Sequence, residues 1–435
     1  MGGVQAGDAI MMNSTQRRDW ISGIRSESAS ASASAAVALA LMLVGLAALT
    51  SQSARAQTFS VLYSFTGSPD GAYPYAGLVR DTTGNLYGTT FYGGASSYGT
   101  AFKLNSKNKE TVLYSFAGGG YPYDALLDVN GQFYGTTYSG GASNFGTVFK
   151  LNQSGKETVL HSFAGSPDGQ YPFAGLVRDA KGNFYGVTTL GGSFNNGVVF
   201  KLDKAGKETL LYTFTGGADG GVPLYYGSLV MDSAGNLYGT TQGGGAGFGT
   251  VFKVTQKGKE TVLHSFTGPP DGVAPFAGLV RDNKGNLYGT ALGGTSGNGV
   301  VYKVDKTGKE SVLYTFTGGA DGGNPFEGLV RDAKGNLYGT TEVGGASGLG
   351  TVYKVSSNGE ETVLHSFTGG ADGRIPFSAL IRDTKGNLYG TTEQGGDVAC
   401  NPPYGCGTVF KLTPAESQEP GTRLRAMTPA DRWED

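Results

Sequence analysis

The sequence predicts an all-β protein: a seven-bladed β-propeller of four-stranded blades, closed by an N-terminal outer strand in the last blade. Three observations predict it. A phrase close to GNLYGTT recurs with its opening glycine at Gly84, Gly131, Gly182, Gly235, Gly285, Gly335 and Gly386. By subtraction the spacings are 47, 51, 53, 50, 50 and 51 residues, a period that marks a repeat architecture. Each period carries four short strand-like runs and no helical pattern. The chain also enters the repeat on a fourth run and leaves it on a third.

The four runs come in one order. GLVRD (Gly77 to Asp81) comes first, and a tight turn leads to NLYGTT (Asn85 to Thr90). A Gly-rich loop leads to GTAFKL (Gly99 to Leu104), and a short Gly-Lys turn leads to a run such as ETVLHSF (Glu157 to Phe163). Val, Leu, Tyr, Phe and Thr fill the runs, while Gly, Asp, Asn and Pro fill the gaps. Four antiparallel strands per period, seven times over, suit a propeller better than an open solenoid. The orphan runs decide for a ring. SVLYSF (Ser60 to Phe65) can supply the strand that GTVFKL (Gly407 to Leu412) lacks, which removes an open edge. In six copies a strand-three Lys is expected opposite the Glu opening strand four, as with Lys150 and Glu157. At the proposed closure that Glu is replaced by Phe59.

The first 56 residues read as a secretory signal peptide. Arg17, Arg18 and Arg25 precede an apolar run from Ala35 to Leu49, and Ala54-Arg55-Ala56 is a small-x-small cleavage signal. Cleavage is expected after Ala56, by the general secretory route, with a secreted or periplasmic product. The propeller then spans 57–412, and 413–435 reads as a disordered polar tail without a membrane anchor. Cys400 and Cys406, the two cysteines of the chain, are expected to form a disulfide in an oxidising compartment. Gly is abundant, at 76 residues, without the Gly-X-Y period of collagen. A net charge of −2 with mixed signs argues against nucleic acid as a partner.

The co-ordinated phrases VLYSFTG, DGxxPxxGLVRD, GNLYGTT, GG and GTVFKL run from about residue 59 to residue 412. The unit resembles the GloVer repeat, a bacterial extracellular tandem-repeat family. The resemblance implies export and a propeller-like array, often with a C-terminal surface anchor that this tail does not show. It carries over no catalytic residue.

In a symmetric repeat, recurring residues read as structural and pattern-breakers as candidates for function. His161, His264 and His365 share one slot with Tyr63, Tyr114, Tyr212 and Tyr314, which reads as packing. A His-rich metal centre is not expected, since these positions lie on separate outer strands. The tyrosines of NLYGTT read as packing between blades. Asp70, Asp168, Asp219, Asp271, Asp321 and Asp372 read as Asp-Gly turn residues, too few per loop for calcium. No cofactor and no metal is expected.

The longer loops, from strand two to three and from strand four to the next blade, should share one face, the working surface. Asp124 and Glu327 replace Ala76, Ala174 and Ala277 in one slot there; Glu342 and Glu393 replace Phe91 and Tyr138 in another. Glu327, Glu342 and Glu393 are the candidate catalytic acids, expected on one rim of blades six and seven, if the protein is a glycoside-type hydrolase. Phe91, Tyr92, Asp124, Tyr138 and Phe145 are the candidate ligand-binding residues. The favoured reading is a secreted scaffold that binds a protein or glycan by this face; a hydrolase is the alternative.

Overall fold

The computed structural model describes residues 57–223 and 226–413; the leader and nearly all of the tail read in the sequence lie outside them. Every element is a strand, and seven four-stranded antiparallel blades form the propeller, the fourth blade gaining one extra strand. In the fifth blade the strands are Val280–Arg281, Leu287–Ala291, Val300–Val304 and Glu310–Thr315, paired in that order. The first strand is barely a strand, two residues long in most blades. It is the inner edge, where neighbouring blades crowd the axis.

The ring closes as the orphan runs require. Thr58–Ser64 pairs antiparallel with Thr408–Thr413, with Ser60 opposite Lys411 and Thr58 opposite Thr413. The ladder thus runs one residue past Leu412. The closing seam is packed like the others: Phe65, Leu78, Phe102 and Leu104 share one apolar cluster with Tyr389 and Val409. Thr391 Oγ1 also donates to Pro74 O across it, at 2.6 Å.

Each blade is packed against the next by the same device. Tyr87 of the first blade lies 4.5 Å, ring to ring, from Phe133 of the second. Its hydroxyl donates to Asp81 Oδ2 at 3.1 Å. Gly88 opposite is glycine for a steric reason: a Cβ there would sit 2.8 Å from the Phe102 ring. The same Asp81 carboxylate accepts from the Asn85 backbone and side chain, closing the turn between strands one and two.

The expected Lys–Glu pairs do not form. Across the hairpin Lys150 stands opposite Thr158, and Glu157 opposite Leu151. Strand side chains alternate between faces, so the two charges point to opposite sides of the sheet. The lysine instead lies over the strand-two tyrosine, with Lys150 5.9 Å from the Tyr134 ring centre. The glutamate turns toward the linker that joins its blade to the one before.

Candidate functional site

Short turns join strands one to two and three to four on one face; the linkers and the two-to-three loops share the other. On the loop-rich face each linker enters its blade through a residue-Pro pair. The residue before that proline is left-handed in all seven blades: Tyr73, Tyr121, Tyr171, Val222, Ala274, Asn324 and Ile375, with φ from 35° to 60°. Such non-glycine conformations are costly and persist only where the surroundings dictate them. Here both backbone groups are used: Tyr73 N donates to Cys406 O of the last blade, and Tyr73 O accepts from Phe91 N of the first. Each joint therefore stitches two blades and aims the residues just past its proline at the axis.

Those residues are aromatic. Tyr75, Tyr123, Phe173, Phe276, Phe326 and Phe377 come in from six blades. Neighbours touch, with Tyr75 5.2 Å from Tyr123 and 5.8 Å from Phe377 between ring centres. The fourth blade supplies the plug. From Pro172 to Leu176 is four residues, but from Pro223 to Leu229 is six, so this linker carries two extra residues. Tyr226 sits at that insertion and reaches across the ring. Its ring centre lies 5.7 Å from Tyr123, 6.3 Å from Phe326 and 5.0 Å from Phe377.

Beneath the aromatic layer lie Asp124 and Glu327. Asp124 Oδ1 accepts from Ala125 N at 2.6 Å, and Oδ2 from Gly175 N at 2.5 Å. Burial pushes Asp124 up to about 6 in spite of these bonds. Glu327 is 5% exposed, and burial, with the Asp124 carboxylate nearby, holds it well above the ordinary range. Below them the axis is pinched by small residues: a Cβ on Gly77 would stand 3.3 Å from Ala379 O. The two acids thus occupy the axis, Glu327 buried and Asp124 half-buried, where they satisfy converging backbone N–H groups.

Above the aromatic layer lie Glu342 and Glu393. Glu342 Oε2 accepts from Asn324 Nδ2 at 3.2 Å. Glu393 Oε1 accepts from Gln394 Nε2 at 3.1 Å and from the Tyr75 hydroxyl at 3.4 Å. Burial, reinforced by the Glu342 charge, pushes Glu393 up to about 7. Arg374 lies beside them, its guanidinium donating to Gln394 Oε1 and stacked over Tyr404 at 4.6 Å. The three glutamates expected on one rim are therefore split, Glu327 under the aromatic layer and the other two over it.

The aromatic candidates gather on the adjoining arc, where Tyr75 touches both Glu393 and Phe91. Phe91 stacks on Tyr121 at 5.0 Å and meets Tyr92 edge-on at 4.7 Å. Tyr138 stacks on Tyr171 at 4.9 Å and Phe173 at 4.6 Å, and Phe145 meets Tyr171 at 5.7 Å. Tyr92 is 42% exposed and the others are half-buried. Asp124 stands apart from this arc, on the axis. The Cys400–Cys406 disulfide closes a loop on the same face, its Cα atoms 5.8 Å apart. Asn401 within that loop donates to the Tyr73 hydroxyl.

A model of the Gloeobacter/Verrucomicrobia repeat matches residues 47–246 and 225–431. The chain belongs to that family. No curated protein matches this Gloeobacter/Verrucomicrobia repeat protein. Among solved structures it is similar to virginiamycin B lyase from Staphylococcus aureus, at 16% identity and a TM-score of 0.55, covering 82% of this chain and 99% of that one. A streptogramin B lyase gives 14% identity and 0.53, covering 82% and 98%. The extracellular domain of a protein proposed to be a one component system from B. thetaiotaomicron gives 14% and 0.50, covering 84% and 42%. At such identities the likeness is one of fold.

Two other features of this repeat protein bear on the site. A cavity of about 540 Å³ lies on the tight-turn face, lined by Arg178, Lys181, Asp232 and Gln256. Asp232 there is spent on its own turn, accepting from Asn236 N at 2.8 Å. The Tyr226 plug escaped a reading built on equivalent slots. Its signal was the one spacing of 53 residues, between Gly182 and Gly235. Among the described residues no helix is long and apolar enough to cross a membrane.

Proposed function

We propose that the chain is an exported binding module whose loop-rich face takes a glycan or protein. The observation that carries this reading is the asymmetry of that face. An aromatic arc over the first three blades adjoins, across the closing seam, a carboxylate arc on the last two, around an axis shut by Tyr226. Half-exposed rings offer flat apolar contact at low entropic cost, and the acids and Arg374 offer directed hydrogen bonds. The leader read in the sequence and the disulfide support export. The test is a glycan array probed with the full chain, then titration of any ligand found. Tyr92→Ala and Glu393→Gln are each expected to weaken binding at least tenfold with the melting temperature within a few degrees of wild type. A ligand bound equally by both variants would overturn the reading.

One observation favours a second reading, the hydrolase. Glu393, lifted to about 7 beside Glu342, pairs a protonated acid with an ionisable neighbour, as acid–base hydrolysis requires. Turnover of a chromogenic glycoside by the wild type, abolished in Glu393→Gln, supports it; no turnover across a broad panel removes it.

A further inference from the structure

Three histidines share one slot, and one of them is set apart. His264 Nε2 lies 3.1 Å from Asp271 Oδ1, and His365 Nε2 3.2 Å from Asp372 Oδ2, both ordinary hydrogen bonds. His161 Nε2 stands 3.4 Å from Asp168 Oδ2 and 3.9 Å from Glu208 Oε1. His161 Nε2 and Glu208 Oε1 are both shut away from solvent, yet neither has a hydrogen-bond partner. The three atoms come from three segments: the outer strand of blade two, the linker after it, and the first residue of the outer strand of blade three. All lie within 4.8 Å of one another, a convergence unique to this trio among the described residues. At the closing seam the equivalent of Glu208 is Phe59, which stacks on His365 at 3.8 Å and fills the place.

The distances have a chemical meaning. A gap of 3.4 Å is long for a nitrogen–oxygen hydrogen bond. Two ligands each about 2.0–2.1 Å from a tetrahedral ion stand roughly 3.3–3.4 Å apart, which the His161–Asp168 gap matches and the 3.9 Å His161–Glu208 gap reaches by a shift of about half an ångström. We propose that His161, Asp168 and Glu208 hold a divalent first-row transition ion, zinc being the best match, as a clamp between the second and third blades. One imidazole nitrogen and two carboxylate oxygens suit such an ion, and leave a fourth position for water. Calcium and magnesium need more oxygen ligands than this site offers. The clamp is independent of the ligand-binding reading. It does, however, hold the linker that carries Tyr171, three residues after Asp168, in the aromatic arc.

The repeat itself provides the test variant. Tyrosine occupies this slot in other blades, where Tyr212 Oη donates to Asp219 Oδ2 at 2.9 Å, so His161→Tyr should fold. Chelator-treated, untagged full chain is titrated with zinc chloride in a calorimeter, and melted with and without zinc. One ion per chain is expected. At a hundredfold excess over Kd the melting temperature should rise about 3 °C for a chain of this size, and a chelator should reverse it. His161→Tyr should lose both responses, Glu208→Gln should weaken binding at least tenfold, and His264→Tyr should change neither. Calcium chloride should have no effect. Absence of zinc binding by the wild type, unchanged binding by His161→Tyr, or an equal response to calcium would each overturn the site.

Discussion

Around the periphery of this ring, one seam is much like the next. Tyr63 with Asp70, Tyr212 with Asp219 and Tyr314 with Asp321 make the same hydrogen bond, at 3.0, 2.9 and 3.0 Å. Beside them Glu110, Glu260 and Glu361 are each pushed up to about 7, first by burial and then by that aspartate. At the axis the equivalent positions diverge: Ala76, Asp124, Ala174, Ala277, Glu327 and Ser378 share one slot. The difference comes from what each region must do. A seam residue must fit a neighbouring blade built from the same phrase, so a change there is penalised by packing. An axial residue lies in the linker just ahead of the first strand, outside the ladder, and it can vary without dismantling a blade.

The largest way to break the comparison is at the closure. Deleting residues 57–65 removes the partner of Thr408–Thr413 and exposes both an edge and the cluster around Phe65. Loss of cooperative thermal unfolding, with aggregates on size exclusion, is expected; an unchanged melting curve would mean the seam is dispensable. Next is the axis. Tyr226→Ala empties the centre of the aromatic layer and should cost roughly 3 kcal/mol in denaturant unfolding. Glu327→Gln, by contrast, puts a neutral side chain of the same shape in place of a carboxyl that burial holds well above its ordinary range, and should leave stability within about 0.5 kcal/mol.

Reducing the Cys400–Cys406 disulfide should cost about 2 kcal/mol, since the loop is short, with the ring retained by circular dichroism. The smallest effect tests the seams. Glu260 faces Asp219 and Tyr212, and its folded value of about 7 lies above the ordinary 4.5. A raised carboxyl favours the folded state at low pH, and that contribution is lost as pH rises from about 4.5 through 7. Glu110, Glu310 and Glu361 share the shift. The melting temperature should therefore fall between pH 5 and pH 8, and Glu260→Gln should flatten that slope by a measurable fraction. Asp81, held down to about 2 by its turn bonds despite burial, keeps its contribution throughout that window.

The ring, its blade count and its closure were legible because period and strand pattern are properties of the chain alone. The aromatic arc was legible in part, through Phe91, Tyr92, Tyr138 and Phe145. The axial layer was not, because it depends on seven linkers converging, and Tyr226 belongs to no repeated slot. The Lys150–Glu157 pairing misled because side-by-side charges in sequence do not reveal which face of the sheet each occupies. The His161 cluster was hidden for the same reason: its members lie on three segments, and only their distances separate it from the His264 seam.

The closing ladder also fixes a direction of display. Thr58 and Thr413 face each other at the end where strand three would turn into strand four. That end belongs to the tight-turn face. The two strand ends, Thr58 and Thr413, therefore lie on the side away from the aromatic and carboxylate arcs. A tether fused directly to either of these strand ends would hold the ring by its back, like the stem of a dish, with the loop-rich face turned outward.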